Sequence, residues 1–122
     1  MDRHFVGKFY RSDSNFDETK DSIKKDIDAE IEDGNLPKIK FTIKKKYFAG
    51  GRELIVTIRK SPVELLNDNG SETEEYKKIK NEITEISNNY NFLDEDMMSD
   101  YLSTDFFFRI NLSNEFYAHN NR

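Results

Sequence analysis

Apolar positions change period several times along the chain, and each change marks an element. Phe16, Ile23, Ile27 and Ile31 recur at offsets of seven, four and four, which stacks them on one face of a helix. The polar run Ser12-Asp13-Ser14-Asn15 before them suits an N-cap, and Asp17 and Glu18 suit the positive end of the helix dipole. Gly34 and Pro37 end the pattern, so the spacing predicts a helix over Asp17 to Asp33. From Lys38 the period becomes two, with Ile39, Phe41 and Ile43 on one face and Lys38, Lys40, Thr42 and Lys44 on the other. Ala49-Gly50-Gly51 supplies the positive φ angles of a tight reversal. Leu54, Val56 and Ile58 then alternate with Glu53, Ile55, Thr57 and Arg59, which predicts a hairpin. Pro62 closes it, and Asn67-Asp68-Asn69-Gly70 reads as a loop. Ser71-x-x-Glu74 fits a capping box, and Tyr76, Ile79, Ile83, Ile86 and Tyr90 step at helical spacing, predicting a second helix over about Ser71 to Asn88. Phe106, Phe108, Ile110 and Leu112 alternate with Phe107, Arg109 and Asn111, the mark of a strand over Asp105 to Leu112.

These elements predict an α+β fold over a single domain, residues 1–122, in the order α-β-β-α-β. Two helices pack a small antiparallel sheet made of the hairpin and the C-terminal strand. Residues 1–15 follow neither period beyond a short possible strand at Phe5 to Tyr10, and 114–122 read as a frayed polar tail. Composition changes this picture in two ways. Ten Phe and six Tyr supply core volume that a chain with 35% charged residues would otherwise lack. The absence of Cys excludes disulfides, thiolate metal sites and cysteine nucleophiles. A domain of 122 residues also leaves little room for a large internal cavity, so no cofactor is expected. With no long apolar run and no leader-like segment after Met1, the expected setting is cytoplasmic, without membrane contact.

Charge is divided along the chain. Residues 1–60 hold 14 basic and 11 acidic side chains, whereas 61–122 hold 5 and 13. Lys38, Lys40, Lys44, Lys45 and Lys46 crowd the hairpin, where strand parity puts Lys38, Lys40 and Lys44 on its polar face. Such a stripe can meet phosphates, or can simply protect a sheet from edge pairing. Asp94, Glu95, Asp96, Asp100 and Asp105 form an acidic cluster, which can imitate nucleic-acid phosphates and occupy a basic groove or can be a solvated face. Asp94, Asp96 and Asp100 offer oxygen ligands to a divalent cation. They lack the ligand pattern and glycine of a calcium loop, so no metal site is expected.

The catalytic inventory is thin. His4 and His119 sit at opposite ends of the chain without spacing to a partner, and the only glycine pair opens a strand where a phosphate-cradling loop would open a helix. Tyr47, Phe48 and Phe107 could stack on bases if they stand among the lysines, although core packing accounts for most of the Phe content.

The segment Lys38-Ile39-Lys40-Phe41-Thr42-Ile43-Lys44, then Tyr47-Phe48-Ala49-Gly50-Gly51, Leu54-Ile55-Val56-Thr57-Ile58 and Ser61-Pro62 resembles a large polyvalent protein-associated domain of phages and mobile elements. Asp96-Met97-Met98-Ser99-Asp100-Tyr101 followed by Phe106 to Ser113 is similar to that family's step into its last strand, and Arg52-Glu53 departs from the small polar residues common there. The resemblance spans about Asp21 to Ser113 and implies a mobile-element setting. It brings no catalytic residue, since Gly50, Gly51, Pro62, Asp100 and Tyr101 read as turns, caps and packing. In size and acidity the chain is also similar to phage-encoded anti-CRISPR proteins. The leading expectation is therefore a non-enzymatic protein that inhibits a host defence effector, a CRISPR nuclease foremost, by laying Asp94, Glu95, Asp96, Asp100 and Asp105 in its nucleic-acid groove. The alternative is a nucleic-acid-binding accessory domain that uses Lys38, Lys40, Lys44, Lys45 and Lys46.

Overall fold

Asn15 starts the first helix, its side-chain oxygen accepting the Glu18 N–H at 2.8 Å. The computed structural model, which describes residues 3–13, 15–96 and 101–116, runs β1 (Arg3–Val6), α1 (Phe16–Glu32), β2 (Lys40–Phe48), β3 (Gly51–Lys60), α2 (Glu74–Asn88), β4 (Phe92–Asp96), β5 (Tyr101–Thr104) and β6 (Phe107–Leu112). A helical turn at 114–116 follows. The second helix begins later than the Ser71 capping box implied. Thr73 is its N-cap and accepts the Tyr76 N–H, while Ser71 bonds Asn69 and Asn67 in the preceding loop. The shift follows from Leu66 and Glu72, whose bridge holds the chain extended up to Thr73.

The α+β class and the order of the main elements are as the periodicity predicts, and two further pairings complete the sheets. β2, β3 and β6 form one sheet, and β1, β4 and β5 form an antiparallel second. The β2–β3 hairpin is antiparallel, but β6 lies parallel to β3, from Glu53 opposite Phe107 to Ile58 opposite Leu112. This corrects the all-antiparallel expectation, and connectivity explains it. Between β3 and β6 the chain runs through α2, β4 and β5, which gives it the long crossover that parallel neighbours require.

Both helices cover one face of the β2–β3–β6 sheet. Phe16, Ile23 and Ile27 of α1 and Tyr76, Ile79, Ile83 and Ile86 of α2 close over Leu54, Val56, Ile58 and Leu112, all buried. Among the described residues no helix covers the opposite face of that sheet. β1 docks over the end of α2, where Gly7 approaches so closely that a Cβ there would stand 2.1 Å from the Asn88 carbonyl oxygen.

Candidate nucleic-acid interface

The open face of the sheet follows from strand parity. In β2, Phe41 and Ile43 pack toward the core, so Lys40, Thr42, Lys44, Lys46 and Phe48 point the other way. In β3 the buried Leu54, Val56 and Ile58 leave Glu53, Ile55 and Thr57 outward. In β6, Phe108, Ile110 and Leu112 leave Phe107, Arg109 and Asn111 outward. Cross-strand register sets Lys46 beside Glu53, Lys44 beside Ile55, and Ile55 beside Arg109. Glu53 accepts from the Arg109 guanidinium at 3.3 Å. At the far end Lys40 stands opposite Lys60, with Arg59 as the extra residue of a β-bulge. Like charges placed opposite one another destabilise a strand pair, so this arrangement favours an anionic neighbour.

Of the five lysines singled out from sequence, Lys40, Lys44 and Lys46 share this face. Lys38 is exposed but precedes the strand. Lys45 points to the helical side, where it is hydrogen-bonded to the Asp17 carboxylate. That contact raises the Lys45 pKa and lowers that of Asp17, in each case chiefly through the shared hydrogen bond. On the open face Lys40, Lys44, Lys46 and Arg109 stand against Glu53 alone, whereas α1 carries seven carboxylates against three lysines. The domain therefore presents a basic sheet face and an acidic helical layer.

Phe48 and Phe107 also belong to the basic face. Their exposure is 43% and 38%, and their ring centroids lie 5.7 Å apart. Gly51 makes this contact possible: a Cβ there would lie 3.1 Å from the Phe48 ring and 3.3 Å from the Phe107 ring. Its neighbour Gly50 alone takes the positive φ, 92°, that the turn requires. The two glycines expected to serve a single purpose thus serve two. Tyr47 lies on the other side of the strand, edge-on to Phe16.

The described members of the acidic set divide between β4 and the bend before β6. Asp94 is exposed on β4, opposite His4 of β1, and Glu95 and Asp96 follow it in the strand. Asp105 has a side chain only 17% exposed and accepts from the Arg52 guanidinium at 2.7 Å, so it is committed within the fold. Asp100 and His119 lie outside the described residues. Among the described residues no group of three or more His, Cys, Asp or Glu side chains could hold a metal ion, and no helix is long and apolar enough to cross a membrane.

Asn91 is a residue that spacing could not reveal. It is buried, donates to the Phe106 carbonyl at 2.8 Å, and its side-chain oxygen accepts the backbone N–H groups of Phe92, Asp105 and Phe106 and the Thr104 hydroxyl. It thereby joins the end of α2 to the bend between β5 and β6 and fixes where β6 begins. The chain matches no protein-family model, no curated protein and no solved structure.

Proposed function

We propose that this chain is a non-catalytic binding protein whose open sheet face engages nucleic acid through its phosphates. The observation that carries this reading is the convergence of Lys40, Lys44, Lys46 and Arg109 on one face that no helix among the described residues covers, with Glu53 the only carboxylate of its three strands. Alternate residues along a strand stand about 6.7 Å apart, so the lysines form a row of point charges along which a polyanion can lie. The acidic helical layer repels the same ligand and so orients it toward the sheet. The resemblance of segments 38–62 and 96–113 to large polyvalent protein-associated domains supports a phage or mobile-element setting, acting in the host cytoplasm.

Phosphate contacts release counterions, so three or four of them on a single strand give a slope of about −2 to −3 in log affinity against log salt. Lys44→Glu with Lys46→Glu should remove most of that slope. Binding that is insensitive to salt, or unchanged in this variant, refutes the reading.

A second reading is inhibition of a host defence nuclease of the CRISPR type by acidic surface. The carboxylate excess of α1 favours it, as does exposed Asp94. Charge reversal at Asp94, Glu95, Asp96 and Asp100 would then weaken capture of such an effector, and unchanged capture would dismiss it.

A further inference from the structure

Resting on the nucleic-acid reading above, we infer that the ligand of the sheet face is single-stranded and that Phe48 and Phe107 form a platform on which its bases stack. Two large rings left this exposed at the edge of a cationic face are not explained by core packing, because the helices that bury the core lie on the opposite side of the sheet. Their placement suits an unpaired base. The rings touch each other across the bare backbone of Gly51, so their outer faces form one apolar surface spanning β2 to β6. Lys46 precedes Phe48 on the same face of β2, and Arg109 follows Phe107 on the same face of β6. A strand of nucleic acid crossing the sheet therefore meets a cation beside each ring.

A duplex cannot use this arrangement. Its bases are stacked inside, and reading it through the major groove calls for a helix or a projecting ribbon, while both helices here lie behind the sheet. A single strand turns the faces of its bases outward, where aromatic side chains add affinity with little regard to sequence. Charge complementarity brings the strand to the face, and stacking selects it over a duplex.

The test is fluorescence anisotropy of the full chain with a labelled oligothymidine, a single-stranded RNA of mixed sequence and a duplex of matching length, each over a salt series. The wild type should bind both single strands at least about tenfold more tightly than the duplex. Phe48→Leu with Phe107→Leu, which keeps apolar bulk and removes the ring faces, should lose about tenfold or more on the single strands and leave duplex binding and the salt slope unchanged. Phe48→Ala with Phe107→Ala should give the same result, and a thermal melt checks that both variants remain folded. Equal or tighter binding of the duplex, or single-strand affinity unaltered in the Leu pair, overturns the stacking inference. If Lys44→Glu with Lys46→Glu still flattens the salt slope in that case, the phosphate-binding reading survives without it. If the wild type binds none of the three probes, both fall. The DNA and RNA arms show which single strand is preferred.

Discussion

Arg52 reaches from β3 to Asp105, two residues ahead of β6, donating to its carboxylate at 2.7 Å and to its backbone carbonyl at 3.1 Å. The same guanidinium lies 4.3 Å from the centre of the Phe16 ring. One side chain thus ties the start of the central strand β3 to the entry of β6 and to the first turn of α1. Its charge-assisted bonds are partly shielded, with 29% of the Arg52 side chain and 17% of the Asp105 side chain exposed. Arg52→Ala should therefore destabilise the fold by about 2 kcal/mol, and Asp105→Asn, which keeps an acceptor, by about 1 kcal/mol. Urea denaturation followed by far-ultraviolet circular dichroism measures both. An Asp105→Asn loss equal to that of Arg52→Ala would show that charge, and not the hydrogen bond, dominates.

Asn91 should be less replaceable still. Removing its amide in Asn91→Ala strips the backbone N–H groups of Asp105 and Phe106 of their side-chain partner near a buried bend and leaves the Phe106 carbonyl with the Thr104 hydroxyl as its side-chain donor. Each unsatisfied buried group costs on the order of 1–3 kcal/mol, and water entering the bend recovers part of this, so about 3 kcal/mol is expected overall. Hydrogen exchange at Phe106 and along β6 should accelerate more than exchange in the β2–β3 hairpin. Uniform acceleration would mean that Asn91 supports the whole fold and not the β6 junction.

The elements that could be read from sequence are those whose pattern is local. Ile23 and Ile27, Leu54, Val56 and Ile58, and Ile79, Ile83 and Ile86 each repeat within a few residues, and each set is buried on the face its period implies. β4 and β5 have no such signature. Asp94-Glu95-Asp96 is a poor strand sequence, and β4 is a strand because β1, nearly ninety positions earlier, pairs with it. The parallel entry of β6 was equally hidden, since alternation assigns a face but not a direction. At the candidate site, parity gave Lys40 and Lys44 their common face. The meeting of Phe48 with Phe107 depends on cross-strand register, and Gly51, which permits it, looks in sequence like a turn residue.

That role of Gly51 can be separated from turn formation. Its φ does not lie in the left-handed region, so a side chain there meets the rings and not a forbidden backbone. Gly51→Val should change stability by less than about 1 kcal/mol, because the two exposed rings can swing aside. The aromatic contact should nevertheless disappear, seen as loss of the nuclear Overhauser effect between the Phe48 and Phe107 ring protons. Gly50→Val, at a φ of 92°, should instead destabilise the hairpin by more than 1 kcal/mol through strain. Equal losses in the two variants would contradict this division.

The response to pH should be set at both extremes by two contacts of α1. The Tyr90 hydroxyl donates to the Asp26 carboxylate, and burial, followed by that bond and the Asp26 charge, holds the phenol well above its ordinary 10.0. The folded state therefore retains a proton that the unfolded chain releases near pH 10, so this stabilisation is complete below about pH 10 and is lost as pH rises toward the folded value. Lys45, raised above 10.5 chiefly by its hydrogen bond to Asp17, acts in the same direction over the same alkaline range. On the acid side Asp17 is depressed below 3.8, mainly by the bond from Lys45, so its contribution is present above that value and fades as pH falls through the lower folded one. The Asp17 side chain is 67% exposed and that of Lys45 27%, so solvent reaches the pair and its share should shrink at high salt. The urea midpoint should accordingly be flat through neutral pH and decline at each end. Tyr90→Phe should blunt the alkaline decline and remove a late-ionising step from the phenolate absorbance titration. Lys45→Met should weaken both ends. An alkaline decline of full size in Tyr90→Phe would assign that limb to other groups.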